Sequence, residues 1–182
     1  MSKELITENE LFAKLRENIM MALKTFGITG FSVQRFAQAN ITNSDGLVLL
    51  NHIRTKREGW EWKKFECISK DVELYAEYGW IESVIYQIHI IKKMTNSDTE
   101  TTITGEDVAN RLISWFNGPG IDKLRNENIS NLLIDRDDIM IYNDDSDQYQ
   151  RRVVFSLNLI VNRKFSQAEP SLNICGVKTK PI

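Results

Sequence analysis

The sequence has little of what marks a secreted or membrane-spanning chain. Its only two cysteines, Cys67 and Cys175, lie far apart, whereas small secreted domains usually carry a denser disulfide framework. We therefore expect two reduced thiols in a cytosolic compartment. The start, MSKELITENELFAKL, lacks the basic region and apolar run of a signal peptide. The longest apolar candidate, WIESVIYQIHII, falls short of the roughly 20 residues that cross a bilayer, so a soluble protein is predicted.

A strong excess of charge of one sign is also missing. The net charge is -2 at pH 7, which gives no global electrostatic reason to bind nucleic acid or an anionic membrane. The apolar fraction of 42% is enough for a hydrophobic core, and 182 residues suit one domain. Composition therefore predicts a globular domain and leaves its function to local features.

Recognisable motifs for catalysis and phosphate binding are absent. The sequence contains no G-x-S-x-G, no G-x-x-x-x-G-K-[ST] and no G-x-G-x-x-G. Its two histidines, His52 and His89, have no cysteine or carboxylate at metal-ligand spacing, so we interpret both as structural. We predict no catalytic residue, no cofactor and no metal, and hence a protein that is not an enzyme.

An acidic cluster, IDRDDIMIYNDDSD, contains Asp144, Asp145 and Asp147. A calcium loop needs a glycine at its sharp turn and a glutamate at its end, and this segment has neither. A solvated hairpin turn is the favoured interpretation. A nuclease-like site that combines the aspartates at 135–138 with Lys164 is a weaker alternative.

Two segments have the periodicity of amphipathic helices. Apolar residues recur at steps of three and four over 11–26, and Thr7 with Glu10 fits a capping box. The second segment, GEDVANRLISWF, follows Thr104 and has Asp107 in its first turn. The sequence NGPG ends it, because glycine and proline interrupt helices. We predict that both helices turn an apolar face to the core.

Several segments have the patterns of strands. The most regular is QYQRRVVFSLNLIVNRKF, in which one face is apolar and the other is mixed; the apolar face carries Val153, Phe155, Leu157, Leu159 and Val161. The continuous apolar run GLVLLNHI is typical of a strand covered on both sides. FSVQRF and WIESVIYQIHII also read as strands, and DDIMIYN is predicted to form a hairpin with the closing strand.

The order of these elements predicts an α+β fold. We expect a mainly antiparallel or mixed β-sheet flanked by helices, with a projecting β-hairpin and an extended C-terminal arm. A single domain is predicted over 1–165, with a hairpin insertion at about 54–69, followed by the arm at 166–182.

The predicted insertion, RTKREGWEWKKFECIS, is both basic and aromatic. Such a mixture can contact phosphates and stack on bases, and it can equally anchor a protein interface. A third interpretation is a hairpin whose tryptophans fold back onto their own core. The residues alone leave these alternatives open.

Four stretches, taken in order, resemble the tail terminator proteins of tailed bacteriophages, also called neck terminators. They are LFAKLRENIMMALKTF with FSVQRFAQANITNSDGLVLLNHI, then WIESVIYQIHIIKK, GEDVANRLISWFNGPGIDKLRN and QRRVVFSLNLIVNRKF. They resemble the opening helix, the first strand with a central glutamine (Gln34), the central strand, the second helix with its break, and the closing strand. The resemblance covers about 11–165. It departs at AQANITNSDG, which lacks the prolines of the family turn.

This resemblance implies a structural virion protein. Family members form a homohexameric ring that sits on the last ring of the tail tube, stops its growth and joins the tail to the neck of the filled head. The implied partners are other copies of the chain, the tail tube protein, a neck or head-completion protein and, as a further candidate, the sheath. DNA passes through the lumen without sequence-specific binding, and no membrane is involved. The implied location is the tail–neck junction, after assembly in the host cytoplasm.

Charge patterning adds a hypothesis about subunit contacts. A cyclic ring repeats one heterologous contact, so each subunit needs two complementary patches. The basic segment at 54–64 and the acidic turn at 144–147 have opposite signs, although the same contrast could serve pairing within one chain. The predicted subunit or neck interface consists of Arg57, Trp60, Trp62, Lys63, Lys64, Asp144, Asp145 and Asp147. The alternatives are a nucleic-acid-binding or nuclease-like phage accessory protein, and another neck or tail completion protein.

Overall fold

Three α-helices, one short 3-10 helix (Phe36–Gln38) and six strands form the described part of the computed structural model. It describes residues 6–38, 44–67, 74–92, 102–135, 140–143 and 149–169, and the backbone alone at 38, 60, 65–67, 74–75, 131–133, 135, 140–143, 149–151 and 165–169. The helices are α1 (Glu8–Thr25), α2 (Gly105–Phe116) and α3 (Pro119–Arg125). The strands are β1 (Phe31–Arg35), β2 (Gly46–Cys67), β3 (Leu74–Lys92), β4 (Ile129–Asp135), β5 (Met140–Asn143) and β6 (Tyr149–Glu169). None of the described helices is long and apolar enough to cross a membrane.

Helix α1 begins and ends where its sequence predicts. The Thr7 hydroxyl accepts from the Glu10 N–H, and the Glu10 carboxylate accepts from the Thr7 N–H, which completes the capping box. These hydrogen bonds lower the pKa of Glu10. At the other end Gly27 adopts a φ of +66°, and the Ile28 N–H donates to the Leu23 carbonyl at 2.8 Å. This is the glycine-terminated helix end that such a sequence favours.

The six strands form one open, mixed sheet. Its order is β1-β2-β3-β6-β4, and β5 also pairs with β6. Only β1 and β2 run parallel; the other pairs are antiparallel. Together with the three helices this confirms the predicted α+β fold.

The inner part of the sheet is buried on the face that the helices cover. The five predicted core positions of β6 are all at most 1% exposed, and β2 is buried on both faces at 47–50, so both strand predictions are confirmed. The helices contribute one contiguous core, which includes Leu15, Ile19, Leu112 and Phe116. At the sheet edge, the Arg16 guanidinium donates to the Val33 carbonyl of β1 at 3.2 Å.

The predicted hairpin insertion at 54–69 is wrong in its boundaries. Residues 54–67 continue β2, and the hairpin is formed by β2 with β3, which pair down to Cys67↔Leu74. The sequence pattern indicated a separate insertion because the side chains at 53–57 and 61–64 are exposed. The alternation of apolar residues is therefore lost there, although backbone pairing continues. The predicted arm also begins later, since β6 pairs with β3 as far as Glu169; residues 170–182 lie outside the described residues.

A buried asparagine ties the three helices together. The Asn18 amide donates to the Gly120 carbonyl at 3.0 Å, and its Oδ1 accepts from the Trp115 indole N–H at 2.5 Å. A Cβ at Gly120 would overlap the Trp115 ring, so this glycine permits the close approach of α3. Asn18 itself is 4% exposed.

We predict that Asn18→Ala destabilises the protein by about 1–3 kcal/mol, because it leaves the buried Trp115 N–H and Gly120 carbonyl without these partners. Urea unfolding followed by circular dichroism measures the loss. Glu17→Ala, at the neighbouring exposed position of α1, serves as the control and should change stability by no more than about 0.5 kcal/mol. Equal midpoints for the two variants would contradict a helix-linking role for Asn18.

Candidate assembly surface

The outer parts of β2, β3 and β6 continue the sheet beyond its apolar core. We call residues 54–67, 74–82 and 161–169 the sheet extension. Side chains of β2 here are largely exposed, and β3 pairs with both neighbours throughout. Two register shifts, between His52 and Arg54 and between Glu58 and Trp62, bulge β2 against β3; Gly59 in the second has a φ of +75°. Bulges of this kind bend a strand and increase its twist.

A charged network occupies the face of the extension that continues the core. Glu82 accepts from the Trp80 indole N–H at 2.8 Å and from the Arg163 guanidinium at 2.8 Å. The Arg57 guanidinium lies 4.6 Å from the Trp80 ring centroid and also pairs with Glu61. These contacts join all three strands through side chains.

The Glu82 carboxylate is held in its charged form. Burial alone would raise its pKa, but the hydrogen bonds from Trp80 and Arg163 and the positive charges of Arg163 and Arg57 outweigh burial, so the pKa is lowered. The side chains of Arg163 and Glu82 are only 12% and 17% exposed. A paired, partly buried network of this kind gives the extension a defined shape.

The opposite face of the extension carries Trp62. Its indole lies against Gly79 of β3, where a Cβ would come within 3.0 Å of the ring. The Lys164 ammonium lies 5.2 Å from the Trp62 ring centroid and 3.2 Å from the Glu77 carboxylate. Trp62 is nevertheless 36% exposed. It therefore folds back onto its own sheet and still presents part of its ring to the surface.

The predicted interface residues do not form one basic surface. Lys63 lies opposite Tyr78, with its ammonium 4.7 Å from the tyrosine ring centroid. Lys64 follows on the other face, opposite Glu77, because successive strand residues point to opposite sides. The structure thus brings Arg57 and Lys63 to one face and Trp62 and Lys64 to the other. Trp60 lies within β2, but its side chain is outside what the structure describes.

The acidic members of the predicted interface lie outside the described residues, but the strands that precede and follow them are described. Asp144, Asp145 and Asp147 connect strand ends that pair at Asn143↔Tyr149. Lys164, in the sheet extension, is about 15 residues further along β6, roughly 50 Å at about 3.3 Å per residue. Within one copy, the pair Asn143↔Tyr149 therefore lies far along β6 from Lys164.

A cavity of about 230 Å³ lies elsewhere, beside the N-terminus of α1. It is lined in part by Glu8, Arg35, His52 and Tyr86. Burial raises the pKa of Tyr86 to about 12, so its hydroxyl is protonated at neutral pH. Over the part of the chain that the structure describes, no group of three or more His, Cys, Asp or Glu side chains is placed to hold a metal ion.

Comparison with known families identifies the class of protein to which the chain belongs. The family model described as E217 gateway protein gp29 matches residues 10–171. The chain belongs to this gateway protein family. No curated protein matches it.

Gateway family membership confirms the coarser part of the resemblance. The chain is a structural phage protein of the head–tail junction. Ring formation, termination of the tube and the position within the junction are finer predictions that the match leaves untested.

Sequence reasoning missed the residues that organise this gateway protein's extension. The hydrogen bond between Glu82 and Arg163 joins residues that are 81 positions apart in the chain, which no local pattern indicates. Gly79 did carry a usable signal, since a glycine inside a strand often marks a close approach by another group.

Gly79→Ala is expected to destabilise the protein by about 1–3 kcal/mol, because the added methyl group forces Trp62 from its position. In a Trp62→Ala background the same substitution should cost nothing or stabilise, because glycine weakens a strand interior. Urea unfolding of the two single variants and the double variant measures this coupling. Additive effects would contradict the packing of Trp62 on Gly79.

Glu82→Gln is expected to reduce stability at pH 7 by about 1 kcal/mol, because neutral hydrogen bonds replace charge-assisted ones. The folded-state pKa of Glu82 lies below its ordinary value of 4.5. Its contribution is therefore complete above about pH 4.5 and is lost as the pH falls through the lowered pKa.

Thermal unfolding from pH 7 to pH 3 measures this effect. The wild-type and Glu82→Gln curves should converge on acidification, whereas Glu17→Gln, at an exposed position of α1, should follow the wild type throughout. A constant difference between wild type and Glu82→Gln at all pH values would show that the charge of Glu82 is not the cause.

Proposed function

We propose that this gateway protein is a tail terminator. In this proposal six copies form a ring on the last ring of the tail tube, stop tube and sheath growth, and join the tail to the neck of the head. The ring binds copies of itself, the tube protein and a neck protein, lets DNA pass through its lumen without sequence-specific binding, and catalyses no reaction.

One observation carries this proposal beyond family membership: the separation of opposite charges along β6. The pair Asn143↔Tyr149, which flanks the acidic residues in the sequence, and Lys164 of the sheet extension lie at opposite ends of β6, roughly 50 Å apart along the strand at about 3.3 Å per residue. The contact between the acidic residues and the lysines of the extension is therefore proposed between copies. Two complementary patches far apart on one subunit are what a heterologous, head-to-tail contact requires.

The side-chain contacts of the extension favour a protein interface over nucleic acid binding. Lys164 contacts Glu77 and Trp62, and Arg57 contacts Glu61 and Trp80. Cations with carboxylate neighbours contribute less to phosphate binding than free ones. Trp62 packs against Gly79 with one part of its ring and is open on another, which suits an aromatic anchor in a protein interface.

Tail length in phage that lack this chain tests the proposal directly. A terminator sets where the tube stops, so its loss should produce tails of variable and excessive length by negative-stain electron microscopy, together with unjoined filled heads. Complementation with the wild-type chain should restore uniform, joined tails. Tails of normal length that fail to join would instead assign the chain to another neck position. Salt-sensitive DNA binding by an isolated monomer would favour the accessory-protein alternative.

A charge swap tests the subunit contact. Lys63→Glu with Lys64→Glu should weaken assembly, because like charges would then face each other across the predicted contact, and adding Asp144→Lys with Asp145→Lys should restore it. Because these sites lie far apart in one copy, rescue reports a contact between copies. Complementation of the deleted phage, scored as plaque yield and tail length, is the measurement.

The matched control is Lys123→Glu with Arg125→Glu on α3, which changes the net charge equally and lies away from the extension. It should complement like the wild type. Normal complementation by the Lys63/Lys64 variant, or failure of the four-residue variant to improve on it, would contradict the predicted contact. Single exposed ion pairs contribute only about 0–1 kcal/mol, so the paired substitutions are needed for a measurable effect.

A further inference from the structure

The end of β6 leaves one strand edge open. Strand β4 pairs with β6 only from Val161 back to Ser156, and the Asn162 N–H still donates to the Asn128 carbonyl at 3.1 Å. Beyond that point β6 continues to Glu169, paired on its other side with β3. Among the described residues, no backbone group pairs with this outer edge of 163–169.

This edge exposes backbone groups in a regular array. Antiparallel strands direct the N–H and C=O of alternate residues to the same side. Since Asn162 faces the β4 side, Lys164, Ser166 and Ala168 also direct their backbone groups there. The pairing of β6 with β3 shows no register shift from Leu74↔Glu169 to Ile91↔Arg152, so the edge is not interrupted by a bulge.

The other open edge of the extension is protected. The outer edge of β2 beyond Leu50, which pairs with Arg35 of β1, is bulged at two places and carries Lys56, Lys63 and Lys64. Bulges and lysines are devices that natural proteins use to prevent strand pairing at an edge. The β6 edge at 163–169 also carries a lysine, Lys164, but it has no bulge, so it is the better acceptor for an added strand.

A polar cavity adjoins the start of this open edge. It has a volume of about 250 Å³ and is lined by three asparagines, Asn126, Asn128 and Asn162, by Ile6 and Lys164, and by Lys14 and Glu127, which form an ion pair. Amide groups can donate to and accept from a backbone that arrives in line with β4. The cavity therefore provides polar contacts for one end of an added strand.

From these observations we infer that the open edge of β6 receives residues 171–177 of a neighbouring copy of this chain, which add a strand to the sheet. The inference rests on the proposed ring, because it names a second contact between its subunits. The segment SLNICGV has Leu172 and Ile174 at alternating positions and equals the open edge in length. Addition of a strand to an exposed edge is a common mode of peptide recognition.

Pro170 favours pairing with another copy over pairing within the chain. It stands between Glu169, where β6 ends, and the segment at 171–177. A two-residue hairpin back onto β6 needs a turn with positive φ at its first central position, and proline has its φ restricted to about -65°. A tight two-residue hairpin of this segment onto its own β6 is therefore disfavoured, which supports a neighbouring copy as the acceptor.

Disulfide trapping in assembled particles tests this inference. Phage are built with full-length chains that carry Cys67→Ser, retain Cys175, and add Lys164→Cys, Ser166→Cys or Ala168→Cys along the edge. After mild oxidation, at least one of these should give a ladder of cross-linked copies on a non-reducing gel. The matched control, Lys56→Cys with Cys67→Ser on the protected β2 edge, should give none.

The outcomes separate this inference from the proposed ring. A ladder longer than two copies supports both, whereas a ladder that stops at two supports strand exchange and overturns the ring. A fast-migrating, internally cross-linked monomer, or no cross-link at any of the three positions, overturns the inference and leaves the tail-length result to decide the proposed function.

A second variant addresses assembly without cross-linking. Ser166→Pro removes one outward N–H at an edge position where proline is tolerated, so the unfolding temperature of the free chain should stay near the wild-type value. Its complementation of deleted phage should fall at least tenfold. Wild-type complementation by Ser166→Pro, together with normal assembly by a chain that ends at Glu169, would also overturn the inference.

Discussion

The uninterrupted antiparallel pairing of β3 with β6 is the constraint on which the rest of this structure depends. It runs from Leu74↔Glu169 to Ile91↔Arg152 without a register shift, so one register determines the placement of every side chain on both strands. In the inner part, that register aligns Ile88 with Phe155 and Tyr86 with Leu157 under the helices. In the outer part, the same register sets Trp80 opposite Arg163. A shift by one residue would turn both sets to the wrong face.

The two parts of this long sheet are stabilised by different interactions. The inner part is held by apolar burial against α1 and α2, which is the dominant favourable contribution to folding. The extension has few such contacts and relies on backbone pairing, on the Glu82 network and on the packing of Trp62 against Gly79. Because this extension contributes surface and little core, its outward groups are available for contacts with other proteins.

Local sequence patterns were sufficient to predict a helix or a strand wherever one face of that element is buried. The capping box of α1, the start of α2 after Thr104 and the alternating face of β6 were all predicted and are present. The boundaries at 54–69 and 166 were missed, because a strand exposed on both faces keeps its backbone hydrogen bonds but loses its apolar alternation. Of the candidate interface, the residue types were predicted, but their division between two faces was not, because residues 54–69 were expected to form a separate hairpin. The division follows the ordinary alternation of strand side chains, which the shift between Glu58 and Trp62 preserves, since β2 advances four residues there while β3 advances two.

The sequence by itself determined the fold class, the helices and the core face of the closing strand, because these follow from periodicity, which is a local property. Only the tertiary structure decided which strands are neighbours, where the sheet continues beyond its apolar core, and that the β5–β6 pair beside the acidic residues lies at the opposite end of β6 from Lys164. Those features depend on contacts between residues far apart in the chain, such as Glu82 and Arg163. Local spacing along the sequence does not predict such long-range contacts.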